Sequence, residues 1–286
     1  MKHRLFQSTL LTFSAVLFLS ACSIKTIYNN LDWVLAGMVD DYVALTETQE
    51  LDVERHIAFI MKWHRETQLT VYIEDLEKIK EFSRKGLDAV SVEYIFSTML
   101  ERWEGLKGQF SPAMADVLLT LSPKQIEELF IRLNEQNKES DEEYKETSDE
   151  EKNTKSGVTL IDNFEDWLGP LSEEQERIVK SWPPRFKSTH DGRMLFRKKW
   201  QSALKQILES NVEKEIKRQQ LQALIIKPDT YQTDEHKQKL VYNSKQLKEM
   251  VLSLDQTITE EQKVHLGEEI DYYIVNFEEL VAEAQK

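Results

Sequence analysis

Charged side chains of the types that proton-transfer chemistry requires occur in the first quarter of the chain. They are Asp32, Asp40, Asp41, His64 and Arg65. Two carboxylates act as general acid and general base when their surroundings separate their pKa values. One hypothesis is therefore a carboxylate-based hydrolase of the cell wall, in which the histidine could serve as a further base.

The same residues, together with Trp33 and Trp63, form a candidate conformational or binding cluster. Trp63, His64 and Arg65 are consecutive, and the surrounding apolar pattern predicts a long helix. We expect Trp63 to pack in the core, and His64 or Arg65 to make a polar contact with one of the three carboxylates. This structural interpretation competes with the hydrolase hypothesis.

Other catalytic signatures are missing from the sequence. It contains no G-x-S-x-G, P-loop, G-x-G-x-x-G or H-E-x-x-H motif, and its one cysteine has a different role, described below. The pairs His265/Glu269 and Asp52/His56 have i, i+4 spacing, but two ligands do not complete a metal site. We therefore predict no metal and no cofactor, and a non-enzymatic role is favoured.

Aromatic residues suggest a third hypothesis, a ligand-binding protein with an aromatic pocket. The six tryptophans are Trp33, Trp63, Trp103, Trp167, Trp182 and Trp200. They lie on separate predicted helices, where tryptophans commonly act as core anchors. The pocket hypothesis requires at least two of them to face one cavity.

Cys22 is the residue with the clearest chemical role. Basic residues at positions 2–4 precede an apolar stretch over residues 5–21, which is short and interrupted by polar side chains. It ends in Leu19-Ser20-Ala21-Cys22, which resembles the lipobox of bacterial lipoproteins. The resemblance implies that residues 1–21 are a signal peptide, and that the Cys22 thiol carries a diacylglycerol which anchors the chain in a membrane.

The residue after the cysteine, Ser23, bears on which membrane the lipoprotein is sorted to. In the lipoproteins that the lipobox resembles, an aspartate at this position retains the protein at the inner membrane. Ser23 therefore implies sorting to the outer membrane, with the chain facing the periplasm.

The net charge of the chain limits the classes of partner that it can bind. The formal net charge of −14 becomes −16 without residues 1–21, because these contain two Lys or Arg side chains and no acid. Binding to nucleic acid requires clustered Lys and Arg, so no nucleic-acid partner is expected.

Helical periodicity dominates the chain and predicts an all-α fold, an antiparallel, bundle-like arrangement of about eight helices. We expect them over residues 25–39, 47–85, 90–108, 112–119, 123–145, 160–182, 190–226 and 233–284, the last broken near Thr257. Gly and Pro are rare, at 8 and 6 residues. Residues 138–157 are acidic and nearly devoid of apolar side chains, so we expect a mobile, solvated insertion or a frayed helix extension there. This insertion would separate an N-terminal half, 22–137, from a C-terminal half, 158–286, possible helical subdomains.

A short phrase recurs four times at predicted helix starts: 45–49 (LTETQ), 121–125 (LSPKQ), 171–175 (LSEEQ) and 258–262 (ITEEQ). Its Ser or Thr followed three residues later by Gln predicts a capping box. The phrase also resembles the LTxxQ motif of all-α periplasmic envelope-stress chaperones.

A broader resemblance covers most of the chain after Cys22. It is carried by four segments: 28–33 (YNNLDW), 40–46 (DDYVALT), 63–65 (WHR) and 164–175 (FEDWLGPLSEEQ). They look like a family of uncharacterised, all-helical Gram-negative lipoproteins without an assigned activity. The resemblance implies the fold class and the location, but no activity. Because of the anchor, the acidic helical body and the missing catalytic groups, we expect a lipid-anchored periplasmic protein that binds an envelope protein or another envelope component.

Overall fold

The computed structural model describes residues 24–284, and these residues form an all-α structure. The α-helices are α1 (Ile24–Asn29), α2 (Leu31–Asp40), α3 (Glu47–Trp63), α4 (Leu69–Lys85), α5 (Ala89–Leu118), α6 (Pro123–Glu146), α7 (Asp149–Leu168), α8 (Glu173–Lys180), α9 (His190–Glu209), α10 (Lys214–Ile226), α11 (Asp234–Asp255) and α12 (Glu260–Ala284). No strand occurs within this range. The predicted fold class is confirmed, although several expected helices are divided.

The helix expected over residues 190–226 is divided in two, α9 and α10. Ser210 leaves the helical conformation, with φ −64° and ψ 157°. The Lys217 ammonium, on α10, donates to the Leu208 carbonyl at 2.9 Å. This contact satisfies one of the carbonyls that the end of α9 leaves without an intrahelical partner.

Helix α5 spans residues 109–111, where we expected a break, and it continues through Pro112. Pro112 has no N–H to donate to the carbonyl of Gly108, four residues earlier. The Ser111 hydroxyl donates to that carbonyl instead, at 3.3 Å. A side chain thus replaces the missing backbone donor, and α5 extends over 30 residues.

The acidic segment 138–157, for which we expected a mobile insertion or a frayed helix extension, forms the tip of a helical hairpin. It comprises the end of α6 and the start of α7, joined at Thr147 and Ser148. The Ser148 hydroxyl caps α7 by accepting from the Glu151 N–H at 3.2 Å. Lysines spaced among the acids form i, i+4 ion pairs, such as Lys145–Asp141 at 2.7 Å.

Three buried clusters form the core. The first joins α5, α6, α9 and α10 around Phe130 and Leu204. The second lies where α7, α8 and α11 meet, around Val179 and Leu254. The third joins α1, α4 and α12 through Tyr28, Leu69 and Leu280.

The first and third clusters join helices from both sides of the 138–157 segment. Helix α12 packs along α4, and α10 packs along α5. The division into two halves stays a prediction, and extensive packing crosses it. Within residues 24–284, no helix combines the length and the apolar content that a membrane crossing requires.

Candidate functional site

The Trp63-His64-Arg65 segment lies where α3 passes into α4. Residues His64–Gln68 form a π-helical turn between the two helices, a feature that is often found at functional sites. Burial lowers the pKa of His64 to about 4. The imidazole is therefore neutral near pH 7, and a hydrogen bond of 2.8 Å joins its Nδ1 to the Tyr28 hydroxyl.

Tyr28 and Asn29, at the end of α1, contact this turn. Burial raises the pKa of Tyr28 to about 12, so the phenol stays protonated. The Arg65 guanidinium donates to Asn29 Oδ1 at 2.6 Å and lies 5.1 Å from the centre of the Tyr28 ring. The polar partners of His64 and Arg65 are thus Tyr28 and Asn29, whereas we expected a carboxylate.

Asp32 is the one candidate carboxylate near this turn. It lines a hollow of about 360 Å³ with Tyr28, Asn29 and Arg65, among residues of α3, the π-helical turn and the end of α12. Its Oδ1 accepts from the Trp33 N–H at 2.8 Å.

Asp40 and Asp41 lie at the other end of α2, where both are exposed. Eight helical residues separate Asp32 from Asp40 by about 12 Å along the axis. Glycosidase carboxyl pairs are closer, at about 5 to 9.5 Å. Asp32 therefore does not face Asp40 as an acid–base pair.

The tryptophans of the candidate cluster diverge. Trp63 meets the His64 ring edge-on, at 6.3 Å between ring centres. Trp33 points away from the body and is 79% exposed. Cys22 and Ser23 lie outside the described residues.

The four recurring phrases form capping boxes, and they meet in pairs. In the first pair, Gln125 Nε2 donates to Gln49 Oε1 at 2.7 Å, and Gln49 Nε2 donates back to Gln125 Oε1 at 3.2 Å. Each amide also donates to the carbonyl that precedes the other phrase, at Thr120 and Ala44.

The second pair repeats this arrangement. Gln175 and Gln262 exchange amide hydrogen bonds of 2.7 and 3.0 Å. Their Nε2 groups donate to the carbonyls of Thr257 and Pro170, which again precede the partner phrase. Each glutamine is nearly buried with its donors and acceptors satisfied. The phrases therefore join distant helix starts, and the repetition of the phrase was the sequence signal for this pairing.

A shallow hollow of about 550 Å³ lies over the first pair, between the starts of α3 and α6. Gln49, Gln125, Asp52 and Lys124 line it among mainly small polar residues. No tryptophan lines this hollow or the one beside Asp32. The arrangement therefore gives no support to an aromatic pocket at either place.

A second polar cluster, which the sequence did not indicate, fixes the acidic hairpin tip. The His190 ring of α9 is 2% exposed and contacts Asp141 Oδ1 through Nε2 at 2.9 Å. The Tyr144 ring stacks on it at 3.8 Å and 3°. The Tyr144 hydroxyl lies 2.6 Å from the Ser188 hydroxyl. These contacts explain why residues 138–157 are held against the body.

Apolar side chains form a stripe along the solvent side of α5. We call Met99, Trp103, Leu106, Phe110 and Met114 the α5 stripe, because their spacing of 4, 3, 4 and 4 places them on one helix face. Met99 is 61% exposed, Trp103 45% and Met114 42%. The Trp103 and Phe110 rings contact each other at 6.1 Å between centres. Exposed apolar patches of this kind commonly mark interaction sites.

Comparison with known proteins shows the family. The model of a family of unknown function, DUF6279, matches residues 41–237. The chain belongs to this family. No curated protein and no solved structure matches it.

The DUF6279 match includes the π-helical turn, the His190 cluster, the α5 stripe and three of the four capping phrases. It begins after α1 and α2 and ends within α11. Within residues 24–284, no group of three or more His, Cys, Asp or Glu side chains is arranged to hold a metal ion.

Proposed function

We propose that this DUF6279 protein is a lipid-anchored envelope protein that binds another envelope protein without catalysing a reaction. The observation that carries the proposal is the α5 stripe, an apolar helix face left open to solvent. Burial of about 25 cal/mol per Å² of apolar surface would favour association there.

The composition of the stripe suits a protein partner. Trp103 offers a large, rigid side chain of the kind that dominates binding energy at interfaces. Met99 and Met114 are flexible and adapt to irregular surfaces. The whole chain carries a net charge of −14. The partner that best fits is one with an apolar groove and a basic rim.

A non-enzymatic role agrees with the arrangement of the polar residues. His64 and Arg65 are engaged by Tyr28 and Asn29. Two of the three candidate carboxylates are exposed at a helix end, away from the third. These contacts support a structural network more than an acid–base site.

The anchor and its location rest on the lipobox-like sequence at Cys22 and on Ser23. We infer attachment to the outer membrane with the helical body in the periplasm. Mass spectrometry of the N-terminal peptide should show an acylated Cys22, and Cys22→Ala should move the protein from the membrane fraction to the soluble fraction. An unmodified N-terminus in the membrane fraction would contradict this part of the proposal.

Site-specific photo-crosslinking in cells tests the α5 stripe. We expect a photoreactive residue at position 99 or 103 to give one discrete adduct with an envelope protein. The control position is Val241, which is 71% exposed on α11. Adducts that also form at position 241, or none at either stripe position, would count against the stripe as the binding site.

A second variant separates binding from stability. Trp103→Ser should reduce the adduct at position 99 several-fold. Since Trp103 is 45% exposed, thermal unfolding should change little. A full-strength adduct in this variant would show that the partner does not depend on the stripe.

A further inference from the structure

Helix α2 is apolar, yet it buries none of its residues. Its sequence is LDWVLAGMVD, and the side chains of Trp33, Val34 and Met38 are 79%, 38% and 41% exposed. At about 100° per residue, these three side chains span an arc of about 140° on one side of the helix. Within this arc lies Gly37, which adds no polar side chain.

The opposite side of α2 meets the protein. Asp32 projects roughly opposite the middle of the apolar arc and lines the hollow beside Arg65. Helix α2 also packs against α3. The exposed apolar side is therefore a second surface, separate from the one that holds α2 to the body.

The sequence places this surface close to the proposed anchor. Cys22 precedes Ile24, the first residue of α1, by two residues, which span at most about 8 Å. Helix α1 has six residues and is about 9 Å long. It is fixed to α12 by ion pairs from Lys25 to Glu279, at 3.1 Å, and to Glu283. A lipid on Cys22 would therefore hold α1 and α2 near the bilayer surface, because the connection is too short to let them move far from it.

We propose that the exposed face of α2 lies in the headgroup region of the anchoring membrane and forms a second contact beside the lipid. The inference rests on the proposed acylation of Cys22. Tryptophan favours the membrane–water interface, because its ring is apolar and its N–H is polar. Asp40 and Asp41, at the last turn, remain in water at the edge of the contact.

The contact depends on apolar burial and not on charge. The acids of α2 and the net charge of −14 give no attraction to anionic lipid, and Lys25 is already paired. The lipid anchor supplies the proximity that a short helix alone would lack. Two points of attachment would fix the orientation of the body relative to the membrane.

Spin labels at introduced cysteines test this contact. Cys22 is the only cysteine, and its thiol is blocked when it is acylated, so Val34→Cys and Met38→Cys each give one labelled site. The lipidated full chain is reconstituted in vesicles of phosphatidylethanolamine with a minor fraction of phosphatidylglycerol. Collision rates of each label with oxygen and with a water-soluble nickel complex are then measured. Val241→Cys is the matched control, because Val241 is also exposed.

The proposal expects the oxygen-to-nickel ratio at positions 34 and 38 to be several-fold higher than at position 241. It also expects both labels to become water-accessible in the unlipidated Cys22→Ala chain in solution. Equal ratios at all three positions on vesicle-bound protein would overturn the contact of α2 with the membrane but not the lipid anchor. Labels shielded in the unlipidated chain would show that protein covers the face, which also overturns it. Failure of the wild-type chain to float with vesicles would instead remove the anchor, and the inference with it.

Discussion

The buried imidazole of His64 ties the π-helical turn to the first helix of the described chain. It stays neutral because burial disfavours the charged ring, which lowers its pKa to about 4. Nδ1 of the neutral ring is hydrogen-bonded to the Tyr28 hydroxyl, and the Tyr72 ring packs edge-on at 5.3 Å between ring centres. This environment makes the turn sensitive to acid.

Stability should fall as the pH decreases from about 6.5 to about 4. In this window the unfolded chain binds a proton at position 64 that the folded chain does not bind, so unfolding is favoured. The pKa difference corresponds to about 3 kcal/mol of unfolding free energy. Urea unfolding at pH 7 and pH 4.5 measures it, and His64→Gln should flatten the difference between the two pH values.

His56→Gln is the matched control, since His56 is a partly exposed histidine on α3. It should keep the wild-type pH dependence. A His64→Gln variant with an unchanged pH dependence would contradict the role of the buried imidazole.

The paired glutamines should contribute to stability far more than exposed ones. Gln175→Ala removes the side-chain partners of Gln262, the Thr257 carbonyl and the Ser172 N–H. Because the buried Gln262 amide and the partly buried Thr257 carbonyl each lose hydrogen bonding, the unfolding free energy should fall by about 3 kcal/mol. Chemical denaturation measures the loss.

Gln219→Ala, at an exposed position on α10, is the control and should change the unfolding free energy by less than about 0.5 kcal/mol. The double variant Gln175→Ala/Gln262→Ala should lose less than the sum of its single variants, since they break the same bonds. Additive losses would show that the two side chains act independently.

At the scale of elements, the α6–α7 hairpin depends on a few contacts at its tip. Tyr144→Ala removes the ring stacked on His190 and the contact with Ser188. Hydrogen exchange in residues 138–157 should accelerate, while protection in α4 and α12 stays unchanged. Mass-spectrometric exchange of the full chain measures this.

Glu142→Gln, an exposed change on the same helix, is the control for the loss of an ion pair near the tip. It should leave exchange close to that of the wild type. Tip protection that survives Tyr144→Ala would mean that helix capping and the lysine–acid pairs suffice to order the hairpin.

At the scale of the whole molecule, α12 connects the end of the described chain to its beginning. Leu280 is fully buried and packs in one cluster with Tyr28 and Leu69. Leu280→Ala should lower the unfolding free energy by about 3 kcal/mol, because it leaves a cavity between α1, α4 and α12. Protection of α4 and α12 against hydrogen exchange should fall together.

Val275→Ala provides the comparison on the same helix, since Val275 is 51% exposed. It should have little effect on either helix. Loss of protection in α12 alone after Leu280→Ala would indicate that the N-terminal half is stable without it, as the predicted division into halves would allow.

The sequence by itself determined the features that depend on neighbours a few residues apart. Apolar residues at i, i+3 and i+4 specify helices, and Ser or Thr followed by Gln at i+3 specifies capped starts such as Ser172–Gln175. It also singled out the segments 28–33 and 63–65, which contain Tyr28, His64 and Arg65. Their mutual contacts could not be predicted, because 36 residues separate Tyr28 from His64.

Only the tertiary structure decided which of these local features meet. It paired Gln49 with Gln125 and Gln175 with Gln262, seated the acidic hairpin tip on His190, and left the α5 stripe open. The acidic segment shows the reason most clearly. Its composition lacks a core of its own, and its order comes from a tyrosine and an aspartate that meet a histidine 46 and 49 residues further along the chain. Local patterns specify a helix, whereas long-range packing specifies its partner.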